Sequence, residues 1–150
     1  MVKWLSKSFE ECTKKEIHDL FALRAEVFVV EQHCVYQDLD GKDPKAVHIF
    51  GLTESKKLIA YSRILEPGII YSNAAAIGRI VVAPSYRNKN IGHDLVAFSL
   101  KKTENLFPST PIKISAQSHL THFYETHGFK KEGKEYLEDG IPHIAMLLRD

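Results

Sequence analysis

Cysteine is nearly missing from this chain: Cys12 and Cys34 are the only two in 150 residues. Neither belongs to a Cys-x-x-Cys pattern, so a disulfide framework and a zinc knuckle both lack a starting point. The pair fits a reducing compartment, a single bridge between them being the other reading. An excess of one charge is lacking too, with 20 Lys and Arg against 19 Asp and Glu, a net charge of +1. That balance supplies no global drive toward nucleic acid or a membrane surface, so neither is expected as a partner. No apolar run approaches the roughly 20 residues needed to cross a bilayer. The beginning, with Lys3, Lys7 and Glu10 close together, lacks the apolar core of a signal peptide. These absences lead us to expect a cytoplasmic protein. There is no internal repeat, low-complexity tract or linker, and residues 1–150 are read as a single domain, large enough to bury roughly 70% of its unfolded surface.

What is present is a mixture of strand and helix signals. Val2 to Leu5 reads as a short strand. Thr13-Lys14-Lys15-Glu16 is a capping box that starts a helix, and Ile17, Leu20, Phe21, Val27 and Phe28 fall on one face of it. Arg24 interrupts that stripe, either as a stem that packs while its guanidinium snorkels to solvent or as a pocket residue. From Glu31 to Pro44 the chain reads EQHCVYQDLDGKDP, a loop long enough to suspect a binding role, although composition alone favours a solvated acidic connection. Val47 to Leu52 and Leu58 to Leu65 form a hairpin. Ile112 to Ala116 is a further strand, Ser118 caps a short helix from His119 to His127, and Gly128 suits its C-terminal turn. Asp139-Gly140 turns into a last strand, Ile144 to Leu148.

The chain is organised around Gly78 to Gly92, GRIVVAPSYRNKNIG. Ile80, Val81 and Val82 make a β-branched strand ended by Pro84, which has no N–H to donate. After Arg87, Asn88, Lys89 and Asn90, the residues Ile91, Leu95 and Phe98 recur at helical spacing, so a helix begins at or just before Gly92 and runs to about Phe107. Its first N–H groups have no partner within the helix, and with Arg87 and Lys89 beside them they suit an anion such as a phosphate. A Walker-type or dinucleotide-binding loop does not fit, because neither Gly-Lys-(Ser/Thr) nor Gly-x-Gly-x-x-Gly is present.

At this turn the sequence resembles the GNAT N-acyltransferases, whose hallmark is (Gln/Arg)-x-x-Gly-x-(Gly/Ala); Arg87, Ile91 and Gly92 match it. Asn88 and Asn90 stand where glycine is common, and asparagine is the non-glycine residue that best accepts a positive φ. A second element, SHLTHFYETHGF from Ser118 to Phe129, resembles the family's Phe-Tyr-x-x-x-Gly-Phe through Phe123, Tyr124, Gly128 and Phe129. Without the first motif, such an aromatic pair would be read as core. LRAEVFVVEQHCVYQDLDGKD from Leu23, YSRIL from Tyr61, IGRIVV from Ile77 and EDGIPHIAM from Glu138 look like the ElaA-like branch of the family. The resemblance implies an α+β fold, with a central mixed, mostly antiparallel sheet whose two middle parallel strands splay apart, flanked by helices. It further implies acetyl-CoA as acyl donor, held by Ile80, Val81, Val82, the Arg87–Gly92 loop, Ser118, Phe123 and Tyr124. A small-molecule or peptide amine is the implied acceptor, and a homodimer would follow the sheet-edge pairing common in the family.

Acetyl transfer to an amine needs a base, an oxyanion donor and an acid. An alkylammonium, with a pKa near 10, has no lone pair until it loses a proton. The resemblance assigns the oxyanion to a backbone N–H, here that of Val82, and Tyr124 is the candidate acid for the departing thiolate. For the base, Glu31, Asp40, His48 and His143 are all candidates, Glu31 and His48 ranking first, and a water chain without a dedicated base is a further option. Arg24, Arg63 and Arg79 form either a cationic wall for an acceptor carboxylate or partners for the acidic loop. His119, His122 and His127 are spread around their helix with no carboxylate to complete a zinc spacing, so no metal is expected. The competing reading is a non-catalytic acyl-CoA-binding sensor or interaction module.

Overall fold

The structure is a computed structural model that describes residues 1–149. Seven strands form one sheet: β1 (Lys3–Ser8), β2 (Val47–Leu52), β3 (Leu58–Leu65), β4 (Ala75–Val82), β5 (Ile112–Gln117), β6 (Lys130–Glu138) and β7 (Ile141–Leu148). Their order across the sheet is β1-β2-β3-β4-β5-β7-β6, and every neighbouring pair is antiparallel except β4 and β5. Three helices accompany them: α1 (Lys14–Arg24), α2 (Ile91–Leu106) and α3 (Thr121–Glu125).

Successive strand residues point to opposite faces, and β3 shows which helix covers which. The Tyr61 ring lies 5.8 Å from the Arg24 guanidinium of α1, whereas the next residue, Ser62, hydrogen-bonds Ser99 of α2 at 2.7 Å. The two helices therefore sandwich the sheet. Leu20 and Leu23 from one side and Leu95 and Val96 from the other bury the apolar residues of the central strands, among them Ile49, Phe50, Ile59 and Ile64.

Helix α1 starts on the capping box as its sequence specifies: Glu16 N–H donates to Thr13 Oγ1 and Thr13 N–H to the Glu16 carboxylate, at 3.1 and 2.8 Å. Beyond Arg24 the helix does not stay α. It widens into a π-helical segment, Ala25–Glu31, in which Gln32 N–H reaches the Val27 carbonyl. Such widenings rotate the side chains that follow and recur at functional sites. Here the segment turns Val27, Phe28, Glu31 and Gln32 toward the sheet opening. A second correction concerns Ser118. It makes no cap bond, and the expected helix is split into a 3-10 turn, Ser118–Leu120, followed by α3.

β4 and β5 pair only at Ala75 with Ile112 and Ala76 with Lys113, and then separate. The cause is a bulge in β4. Tyr61 pairs with Val81 and Arg63 with Gly78, so Ser62 faces both Arg79 and Ile80. The extra residue bends the strand away from its neighbour, with Arg79 in the left-handed region at φ 51°.

Candidate active site

The separation of β4 and β5 opens a cleft of about 830 Å³. One wall is β4 at Ile80, Val81 and Val82, and the other is Gln117 of β5 with Leu120, Phe123 and Tyr124. The floor is the start of α2, with Asn88, Asn90, Gly92 and His93. Asn88 and Asn90 hold φ at 64° and 62°, the left-handed conformation anticipated for them. Asn90 offers no side-chain cap, and Asp94 is the first α2 residue whose N–H bonds back, to the Asn90 carbonyl. The N–H groups of Ile91, Gly92 and His93 therefore have no helical partner. Two loop residues stand off the cleft wall: Ile91 packs in the core, and the Lys89 ammonium lies 5.4 Å from the Tyr86 ring.

Arg87 is tied back rather than aimed into the opening. Its Nε donates to the Val82 carbonyl at 3.1 Å, and its two terminal nitrogens donate to both oxygens of Glu31 at 2.6 and 2.7 Å. The side chains are 39% and 40% exposed, so the pair is worth under about 1 kcal/mol and is readily surrendered to another anion. While it lasts, the same contact works against Glu31 as a base. Hydrogen bonding from Arg87 holds its carboxyl below the usual carboxylate range, which disfavours proton uptake.

Ala83 N–H donates to the Ile59 carbonyl on β3. By strand alternation, Val82 directs its own N–H to the opposite side, where β5 has withdrawn. Two hydroxyls are also without a partner. Ser118 Oγ is buried and makes no hydrogen bond. Tyr124 is 6% exposed, and the hydroxyl of its ring lacks a hydrogen-bond partner among the described residues while burial pushes its pKa up. Tyr124 lines this cleft and also a second pocket of about 220 Å³, which lies between Arg79, Ile114, Glu138 and His143. Phe28, Gln32, Gln117, Leu120 and Ile141 line both cavities. Sequence reasoning missed these five. Only Gln117, which follows the alternating strand into the second motif, carried a usable signal.

Of the remaining candidates, Arg63, Arg79 and His143 line the smaller pocket, and the others lie away from both cavities. His48 is fully buried and lines neither cavity. A carbonyl can only accept, so His48 Nε2–H donates to Asp43 O at 2.9 Å, while Tyr61 O–H donates to Nδ1 at 2.6 Å. Burial also lowers its pKa, and the ring is a structural joint rather than a base. Arg24 neither snorkels nor reaches a pocket. Its fully buried guanidinium bonds Asp38 Oδ2 at 2.9 Å and Asp43 Oδ1 at 2.7 Å. Arg63 takes Asp40 at 2.6 and 2.9 Å and shares Asp43 at 3.1 Å. Arg79 takes Asp38 at 2.7 Å. The three arginines are thus partners of the acidic loop, and Asp40 is committed to Arg63. Burial works to raise the Asp40 pKa, but its bonds to Arg63 and Lys42 outweigh that and hold the carboxyl well below the usual range. Of the three histidines of the second motif, His127 meets one from outside it, its Nε2 lying 2.9 Å from His93 Nδ1.

A cleft between splayed strands, floored by a helix start and walled by a buried tyrosine, has a counterpart among known proteins. Residues 9–149 match the family model described as an acetyltransferase (GNAT) domain. The chain belongs to the GNAT acetyltransferase family. As a GNAT acetyltransferase it is 37% identical to ElaA of Escherichia coli over 148 residues, covering 97% of this chain and 95% of that protein. The crystal structure of an acyl-CoA N-acyltransferase from Pseudomonas aeruginosa superposes with a TM-score of 0.93 at 39% identity, covering 99% of each chain. An aminoglycoside 6'-N-acetyltransferase crystallised with coenzyme A shares the fold at 16% identity, with a TM-score of 0.72 over 97% of this chain and 96% of that one. Enzymes of this family use an acyl-CoA donor and an amine acceptor. No α-helix of the described residues is long and apolar enough to cross a membrane.

Proposed function

We propose that this protein moves an acetyl group from acetyl-CoA to a primary amine by direct attack in a ternary complex. The observation that carries this reading is Tyr124, whose unpartnered hydroxyl stands on a wall common to two adjoining cavities. A donor thioester in the larger cavity and an acceptor in the smaller one would meet beside it. Pyrophosphate would settle on the free N–H groups of Ile91, Gly92 and His93, drawing Arg87 away from Glu31. The pantetheine arm would run along Val82 toward the buried Ser118 hydroxyl. The N–H of Val82, fixed by the ladder to β3, would donate to the thioester oxygen as it becomes an oxyanion. Tyr124 would protonate the departing sulfur. Its raised pKa keeps it protonated until a thiolate develops nearby.

Thermal unfolding with acetyl-CoA, an adenine nucleotide serving as control, tests the donor site. At a hundredfold excess over the dissociation constant, linkage adds about 2.7 kcal/mol, a rise in midpoint of about 5 to 10 °C for a chain of this size. Release of free thiol with an amine then separates an enzyme from an acyl-CoA sensor, which would bind the donor without turnover. A flat melting response at millimolar acetyl-CoA would overturn the assignment.

A further inference from the structure

The smaller pocket contains a pair of side chains to which the scheme above gives no role. His143 is 7% exposed, and its Nδ1 lies 2.7 Å from the Ile141 carbonyl. The carbonyl cannot donate, so Nδ1 carries the proton, and in the neutral ring Nε2 presents a lone pair. That lone pair looks at Glu138 Oε2 across 3.4 Å. The other carboxylate oxygen of Glu138 accepts from Ser115 Oγ at 3.1 Å, and Ser115 in turn contacts the Tyr136 hydroxyl. Two acceptors therefore face each other at hydrogen-bond range. The arrangement calls for a proton or a cationic donor between them. His143 is paired across the ladder with Gln117, and Gln117 lines both cavities, which sets the pair beside the junction at Tyr124.

The rest of the pocket limits what that cation is attached to. Arg24, Arg63 and Arg79 are matched against Asp38, Asp40 and Asp43. A carboxylate on the acceptor would thus have to displace an existing partner. Besides Arg63 and Arg79, the lining carries Glu138, Asp139 and His143, with the weakly acidic Cys34, Tyr36, Tyr71 and Tyr124, while Leu65, Ile70 and Ile77 supply apolar wall. We infer that Glu138 and His143 seat and deprotonate the ammonium group of an alkylamine that carries no carboxylate beside its nitrogen. This rests on the acetyl-transfer reading and names its acceptor class. Glu138 holds the cation, and Nε2 of His143 takes one proton from it to give the free amine. The nitrogen lone pair forms the C–N bond as the C–S bond breaks. Tyr124 gives its proton to the sulfur and regains one from the new amide nitrogen. The proton on His143 is released to solvent, so one alkylammonium and one thioester yield one amide, one thiol and one proton.

The test measures thiol release by the whole chain with acetyl-CoA and four acceptors: pentylamine, cadaverine, a peptide whose only amine is a lysine side chain, and alanine. The two free amines and the peptide distinguish a small-molecule source of the alkylammonium from a protein one. At least one of them should exceed alanine tenfold or more in kcat/KM. Glu138→Gln, at a half-exposed side chain where folding is not at stake, should raise KM for the preferred amine about tenfold and leave kcat within a factor of two. His143→Ala should lower kcat about a hundredfold, with added imidazole restoring part of it and with the dissociation constant of acetyl-CoA within a factor of two. A purely structural role would give neither the split between KM and kcat nor the rescue. Preference for alanine, or an unchanged KM in Glu138→Gln, overturns the inference and leaves acetyl transfer standing. Thiol release with none of the four, together with tight acetyl-CoA binding, overturns the inference and the transfer reading together.

Discussion

Around Arg79 the chain pairs three arginines with three aspartates, burying Arg24, Arg63, Asp38 and Asp43, while further along β4, at Val82, it leaves a main-chain N–H without a ladder partner. The contrast extends outward from both points. On the first side His48, Tyr61 and Tyr36 are all hydrogen-bonded, and a single buried nitrogen, Arg63 Nε, is unmatched. On the second side the Ser118 and Tyr124 hydroxyls have no hydrogen-bond partner among the described residues, and the first N–H groups of α2 are open. Buried charge is costly unless paired, so the first region pins the long loop to the sheet at one geometry. Unmatched donors are also costly, and the second region keeps them where a ligand would meet them. The first region is scaffold; in the proposed function the second is the working surface.

Removing a charge from the paired side should produce the largest change. Asp43 accepts from both Arg24 and Arg63 through one oxygen, so Asp43→Ala leaves two buried guanidinium groups short of a partner. A loss of about 3–5 kcal/mol in unfolding free energy is expected from urea denaturation; less than 1 kcal/mol would show the cluster to be incidental. Acid attacks the same cluster. Burial raises the carboxyl pKa of Asp43, but Arg24 and Arg63 outweigh it, and Asp40 behaves likewise, so both carboxyls titrate lower folded than unfolded. Their stabilisation is complete above the unfolded carboxylate pKa near 4 and is lost as pH falls below it toward the folded values. Urea midpoints should therefore drop steeply below about pH 4 in the wild type and less steeply in Asp40→Asn.

On the open side the effects fall on ligand rather than on fold. Arg87→Ala should weaken acetyl-CoA binding by about 1–3 kcal/mol and change stability by less than about 0.5 kcal/mol, because its exposed bond to Glu31 contributes little. Equal loss of both would mean that Arg87 belongs with the scaffold. Ser118→Ala is the smallest change and the sharpest in sign. Removing an unmatched buried hydroxyl should leave the ligand-free protein as stable or slightly more so, and weaken acetyl-CoA binding by about 0.5–1.5 kcal/mol. A drop in ligand-free stability would point to a partner that this account lacks.

The two regions also differed in how far the sequence disclosed them. Strand and helix periodicity located the sheet and the helices that cover it, and the Arg87–Gly92 loop stood out because asparagine at positive φ and a fresh helix start are local features. The splay could be expected only by resemblance, since its cause is a register slip opposite Ser62 that no local pattern encodes. Arg24, Arg63 and Arg79 come from three elements far apart in the chain, and charge alone could not say whether they faced a ligand or the loop. His48 looked like a base because its type allows it; its two hydrogen bonds are made by Tyr61 and the Asp43 backbone, which no sequence spacing relates to it. Glu138 passed unnoticed as the partner of His143 for the converse reason: it lies on a strand exposed along its whole length, and the pairing of β6 with β7 brings it there.

The most direct test of the account is thiol release by wild type and Tyr124→Phe under saturating acetyl-CoA and a transferred amine, with the acetyl-CoA dissociation constant measured on the same samples. The account predicts a fall of about a hundredfold in turnover with the dissociation constant unchanged, because the lost hydroxyl has no partner in the ligand-free protein and serves only the leaving sulfur. Equal turnover in the two proteins would contradict it, and the acid would then have to be sought among the other groups at the junction of the two cavities.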